Sequence, residues 1–125
     1  IVCISSDAGR MGEYREAVYS ACKAGVIALS KSVARETGRY GLRLNVVCPG
    51  LVVPPEDESI SEESMWTEMR GIFTEDVREK VERNYLFRRM GTAQEVANAV
   101  VFLASDAASF ITGQTLSVSG GYTMM

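Results

Sequence analysis

Residues 18 to 25 read VYSACKAG, which places Tyr19 four positions before Lys23. On a helix, residues at i and i+4 share one face. A free phenol ionises at about pH 10 and is a poor base at neutral pH, but a neighbouring ammonium favours the phenolate and lowers that value. A tyrosine so placed can donate or accept a proton at a carbinol or carbonyl oxygen. Taken alone, the pair is also an ordinary feature of helix surfaces. Ser6 adds to it. It lies at the end of the apolar run IVCIS, the edge where open α/β sheets bind ligands, and its hydroxyl can hydrogen-bond a substrate oxygen. A serine that merely opens a turn is the competing reading. The chain has no histidine. It therefore cannot build a Ser-His-Asp triad or a His-ligated metal site by itself, and acid-base work falls to Tyr, Lys, Asp, Glu or Cys.

The elements that must position these residues follow from periodicity. IVCIS reads as a buried strand running into the loop SSDAG. From about Glu16 to Arg39, Val18, Cys22, Val26, Leu29 and Val33 recur at helical spacing, and small residues fill the other side. This predicts a long helix buried on two sides, one against a sheet and one against a neighbour. LRLNVVCPG is a second strand, stopped by Pro49-Gly50. A glycine there either ends the strand in a turn or lets a flat ligand approach the backbone. Strand, helix and strand in that order make a βαβ unit with parallel strands.

Residues from about 53 to 84 form a lid-like segment. PPEDESISEES is an acidic loop, and Ser61 is expected to cap a helix with Glu62 and Glu63 in its first turn. Met65, Trp66, Met69, Ile72 and Phe73 then form an apolar stripe, suited to cover an apolar substrate or simply to pack a small helix. TEDVREKVERN gives another short helix. TAQEVANAVVFLAS opens on a T-x-x-E capping box, Thr92 and Glu95, and TLSVSGG is a last strand. The tail YTMM is expected to be buried at an interface. The order predicts an α/β chain, the C-terminal half of a doubly wound parallel sheet of Rossmann type.

Bulk properties narrow the classes. The 125 residues make one domain at most, 46 % of them are hydrophobic, and the net charge is −3, which argues against nucleic acid. No apolar run is long enough to cross a bilayer, and the start lacks the pattern of a signal peptide. Cys3, Cys22 and Cys48 follow no metal-site spacing and are expected to be reduced core cysteines, as in a cytoplasmic protein. The chain begins inside an apolar run with no turn or cap before it, so it is expected to continue a longer unit.

Together these pieces resemble the short-chain dehydrogenase/reductase family. The resemblance rests on Ser5-Ser6, Tyr19-x-x-x-Lys23 with Ser6 thirteen residues before the tyrosine, Asn45-Val46, and Pro49-Gly50. It continues through RMGTAQEVA (89–97), FLAS (102–105) and ITGQTLSVSGG (111–121). It implies that Tyr19 is the general acid-base, that Lys23 lowers its pKa and binds the nicotinamide ribose, and that Ser6 polarises the substrate carbonyl. It further implies that Pro49, Gly50 and Val52 line the nicotinamide end of NAD or NADP, that no metal is used, and that the protein is a homotetramer. The family's phosphate-binding loop and the asparagine of its catalytic tetrad belong upstream of Ile1. Two local departures are Pro54, where a threonine is frequent, and Ser119, where an aspartate is common. The substrate classes implied are alicyclic hydroxyacyl-CoA esters and, more generally, 3-oxoacyl thioesters.

Overall fold

The computed structural model describes residues 1–54, 59–69 and 71–125, with the side chains of Met65 and Glu68 outside that description. In chain order the elements are β1 (Val2–Ile4), α1 (Ala8–Met11), α2 (Ala17–Thr37), β2 (Asn45–Pro49), α3 (Met65–Met69), α4 (Glu75–Glu82), α5 (Ala93–Ala104) and β3 (Thr115–Val118). The three strands form one sheet in the order β1-β2-β3, and both pairings are parallel. The βαβ reading of the sequence holds, with a short helical turn inside the segment read as a loop. Among the described residues no helix is long and apolar enough to cross a membrane.

The central strand β2 is the most deeply buried part of the chain. Val46, Val47 and Cys48 are almost wholly removed from water, and each valine contributes about 1.5–3 kcal/mol by burial. Val47 meets Leu103 of α5 and Ala108, with Val96, Val100 and Val118 packed around them. Asn45, though polar, is fully buried and satisfied. Its amide donates to the Ile111 carbonyl at 2.9 Å and its side-chain oxygen accepts the Gln114 N–H at 3.1 Å, stitching β2 to the lead-in of β3. Arg43 donates to the carbonyls of Leu103, Ala104 and Ser105 (2.7, 3.3 and 3.1 Å), closing the C-terminus of α5, where a cation is favoured. At the other end the capping box forms: Glu95 N–H donates to Thr92 Oγ1 at 3.3 Å and Thr92 N–H to Glu95 Oε2 at 2.9 Å.

Some expectations are corrected, and others reach beyond this chain. β1 is half-buried within this chain, with Ile4 exposed. The sheet-facing side of α2 packs as expected, and the side expected to meet a neighbour faces away from this chain. Ser30 and Ala34 are buried, while Val18 and Leu29 on the far face are exposed. Cys48 alone is a core cysteine; Cys3 is half-buried and Cys22 exposed on the open face of α2, and all three are free thiols. Ser61 does not cap α3. It opens a turn over 61–64, accepting the Glu63 N–H on its hydroxyl at 3.3 Å, and Ser64 Oγ takes the Trp66 N–H instead. Within this chain Thr123 is the buried residue of the tail, while Met124 and Met125 lie on the surface, where the expected interface would be.

Candidate active site

Pairing of β1 with β2 carries on one residue past the strand, where Ser5 N–H donates to the Val47 carbonyl at 2.8 Å. Ser6 is the first residue clear of the ladder, at the carboxyl edge of a parallel sheet, where such sheets bind ligands. Next, Asp7 N–H donates to the Pro49 carbonyl at 3.3 Å, so the ends of β1 and β2 leave the sheet side by side. The Ser6 hydroxyl accepts the Ala8 N–H at 3.2 Å. That leaves its own proton and a second lone pair for a ligand.

The turn of α1 then seats on α2, and Gly9 makes this possible. A Cβ built on Gly9 would lie 2.7 Å from Ala24 N and from Lys23 C, and 2.8 Å from Lys23 Cβ. Only hydrogen fits there. Lys23 is held to the exit of β1 from both ends. Its carbonyl accepts the Ser5 hydroxyl at 2.8 Å, and its ammonium donates to the Ile4 carbonyl at 3.3 Å. The ammonium also stands 5.6 Å from the centroid of the Tyr19 ring. An ammonium has three donors, so two remain after the Ile4 bond. Tyr19 is 47 % exposed. One residue on, Ser20 Oγ accepts the Glu13 N–H at 3.3 Å, which ties the connecting loop back to the helix. Ser6, Tyr19, Lys23 and Pro49 are thus assembled at one edge. The Tyr19 phenol is open to solvent, and among the described residues the Lys23 ammonium keeps two donors uncommitted.

Gly50 is closely packed on its Cβ side. A Cβ there would come within 3.1 Å of Ser119 Cβ and 3.2 Å of Tyr85 Cε1. The space beside this glycine is filled by protein. Tyr85 is only 3 % exposed, its hydroxyl accepts the Leu51 N–H at 2.8 Å, and its ring stacks on Tyr122 at 5.1 Å. Burial pushes the Tyr85 phenol above its ordinary pKa. Val52 forms a parallel bridge to Gly91. Tyr85 therefore sets the path of the Pro49–Val52 segment. Nothing local in the sequence marks it, since its partner is a distant backbone amide.

Among the stripe residues, Trp66 and Phe73 meet edge to face at 5.9 Å and line a cleft of about 540 Å³ with Val53, Pro54 and Met90. Met69 is half-buried and outside that lining. Ile72 is 71 % exposed and stands at a turn, outside that lining. The side chain of Met65 and residues 55–58 of the acidic loop lie outside the described residues. The cleft is not lined by Ser6, Tyr19 or Lys23; the segment from Pro49 to Pro54 joins the two regions. Arg89 beside it grips Glu95 through two bonds of 2.6 and 2.9 Å and holds that carboxyl down at about 2.

A family model described as enoyl-(acyl carrier protein) reductase matches residues 1–123. The chain is 44 % identical over 123 residues to the acetoacetyl-CoA reductase of a Synechocystis species, covering 98 % of this chain and 46 % of that protein. It is 42 % identical over 125 residues to the 3-oxoacyl-(acyl-carrier-protein) reductase FabG of Escherichia coli, covering 100 % of this chain and 46 % of that one. A crystal structure of an oxidoreductase of the short-chain dehydrogenase/reductase family from Burkholderia thailandensis superposes with a TM-score of 0.81 at 40 % identity, covering 98 % of this chain and 44 % of that one. The chain thus spans about half the length of the curated relatives it matches. With the family model running nearly end to end over this parallel α/β sheet, the chain belongs to the short-chain dehydrogenase/reductase family.

Proposed function

We propose that this chain supplies the catalytic half of an NAD- or NADP-dependent oxidoreductase that interconverts a secondary alcohol and a ketone on an acyl thioester, of the 3-oxoacyl class. The reading rests on one observation above all: Lys23 is fixed to the exit of β1 at both its carbonyl and its ammonium, beside Tyr19 and the Ser6 turn. The names of the similar reductases from Synechocystis and Escherichia coli support the substrate class. When bound, the nicotinamide supplies or accepts the hydride. In the reductive direction Tyr19 gives its proton to the carbonyl oxygen while Ser6 donates a hydrogen bond to that oxygen. Lys23 has donors to spare for ribose hydroxyls. The segment Pro49–Val52, held from behind by Tyr85, borders the nicotinamide, and Trp66 and Phe73 offer apolar cover to the acyl group. In the same reading, the open apolar face of α2 around Val18 and Leu29 is the contact of a homotetramer.

The test uses the full-length protein that contains this chain. Tyr19→Phe lowers turnover of a 3-oxoacyl thioester with NADH or NADPH by about 100- to 10,000-fold, the range of general acid-base catalysis. Cofactor binding, followed by nicotinamide fluorescence, stays intact. Turnover at the wild-type level in this variant refutes the assignment. A monomeric sedimentation profile refutes the oligomer.

A further inference from the structure

Next to Ser6 stands a carboxylate that the proposed reaction does not use. Asp7 is 1 % exposed. Its Oδ2 accepts two hydroxyls from the other end of the chain, Ser117 Oγ at 2.6 Å and Thr123 Oγ1 at 2.7 Å. Ser119 Oγ lies 2.9 Å from Ser117 Oγ and accepts the Thr123 N–H at 3.3 Å. Each hydroxyl has one proton. With those of Ser117 and Thr123 committed to the carboxylate, Ser119 supplies the proton of its contact with Ser117, and the 2.9 Å approach of Ser117 Oγ to Thr123 Oγ1 carries none. The other oxygen, Oδ1, has no hydrogen-bond partner among the described residues, and the Arg10 guanidinium stands 4.0 Å away. Two more ties run between the same segments: the Tyr122 hydroxyl donates to Glu13 at 2.7 Å, and Arg10 donates to the Met125 carbonyl. Residues 7–13 are thus fastened at three points to residues 117–125, and Ser6 sits at the head of the fastened segment.

We infer that Asp7 is a positioning residue for Ser6: its carboxylate latches the 117–123 segment onto the turn that presents the Ser6 hydroxyl. Asp7 cannot shift without carrying the adjoining Ser6 peptide with it. Its backbone N–H is also the link to Pro49, so the latch fixes Ser6 relative to the strand end on the nicotinamide side. The role follows from hydrogen-bond acceptance rather than from charge. An asparagine at this site can turn its carbonyl oxygen to both hydroxyls and leave its NH2 at the position of the unpartnered Oδ1. This inference rests on the proposed role of Ser6.

The experiment is a double-mutant cycle in the full-length protein. Asp7→Ala lowers kcat by about 100-fold, the cost of a misplacement of about 1 Å in a positioned group, with the KM for the nicotinamide cofactor little changed. In a Ser6→Ala background the same change costs less than about 3-fold, because the group being positioned is gone. Asp7→Asn keeps kcat within about 3-fold of wild type, since both hydroxyls retain an acceptor. Equal cost in the two backgrounds, or an Asp7→Asn protein as impaired as Asp7→Ala, overturns the proposal. Thr123→Val, which deletes one donor, gives a milder form of the same cycle if Asp7→Ala does not fold. Amide hydrogen exchange gives a readout independent of activity. Asp7→Ala accelerates exchange at Ala8 and at Thr123, whose N–H groups are held by Ser6 and Ser119, and unchanged protection there overturns the latch. Should the wild-type protein turn over no oxoacyl thioester, the functional reading fails while the exchange result still decides whether the latch exists.

Discussion

Gly9→Ala is a sharp test of how the serine turn is set. Gly9 lies within α1, and by helix propensity alone an alanine there would stabilise the protein by about 0.8–1.0 kcal/mol. The contact with α2 reverses the sign. The new Cβ would lie 2.7 Å from two backbone atoms of Lys23 and Ala24, against an optimal separation of about 3.5–4.0 Å. The deficit is therefore about 1 Å, and backbone atoms in the middle of a 21-residue helix cannot swing aside as a side-chain tip can. α1 has to back away. Overpacking of this kind costs about 1–3 kcal/mol, so the variant ends up less stable. The same retreat moves Ser6, whose carbonyl accepts the Gly9 N–H at 3.0 Å, away from Tyr19. A misplacement of about 1 Å is worth about 100-fold in rate. In the full-length protein, urea unfolding and steady-state kinetics should show both effects together. A Gly9→Ala protein as stable as wild type or more so, with wild-type kcat, would refute the claim that this close approach seats the turn.

Other outcomes follow from single contacts. Tyr85→Phe leaves the Leu51 N–H without its acceptor and lowers stability by about 1–3 kcal/mol in urea titrations. It also raises the KM for the cofactor if the Pro49–Val52 segment borders it. The hydrogen bond to Glu13, with burial adding to it, pushes the Tyr122 phenol up to about 12. Its folded value thus exceeds the unfolded one, so the stability it lends is complete below pH 10 and disappears as the pH rises from 10 through 12. Glu13→Gln should return this phenol toward its ordinary range, read as tyrosinate absorbance against a Tyr122→Phe control. Thr92→Ala removes one half of the capping box at α5 and should cost about 1 kcal/mol, seen as a lower urea midpoint with unchanged kcat.

What could be read from the sequence was whatever is written locally. The capping box of α5 occupies four consecutive residues, and Tyr19 and Lys23 one helical turn, so spacing alone placed both. The apolar run of β2 declared itself because that strand is buried on both faces. Gly9, Asp7 and Tyr85 were missed because each acquires its meaning from a partner far along the chain: the backbone of α2, the hydroxyls of 117–123 and the Leu51 amide. Gly50 was read either as a strand-ending turn or as an approach for a ligand; the packing of Ser119 and Tyr85 against its Cβ side comes from residues far along the chain and was not legible. Cys22 looked like a core residue because its neighbours are small and apolar, but they too line the open face of α2. Ile72 shared the helical spacing of the lid stripe, but it stands at a turn outside the cleft that Trp66 and Phe73 line.

The latch between Asp7 and Thr123 also has a consequence for biosynthesis. Its two ends are 116 positions apart, nearly the whole length of this chain. At 5–20 residues per second, a ribosome needs about 6–23 s to pass from one to the other. Through that interval the nascent chain already holds Ser6, Tyr19 and Lys23, yet the carboxylate beside the serine has only water around it. Contacts of such long span close late. The serine turn is therefore among the last parts of this half to reach its working geometry.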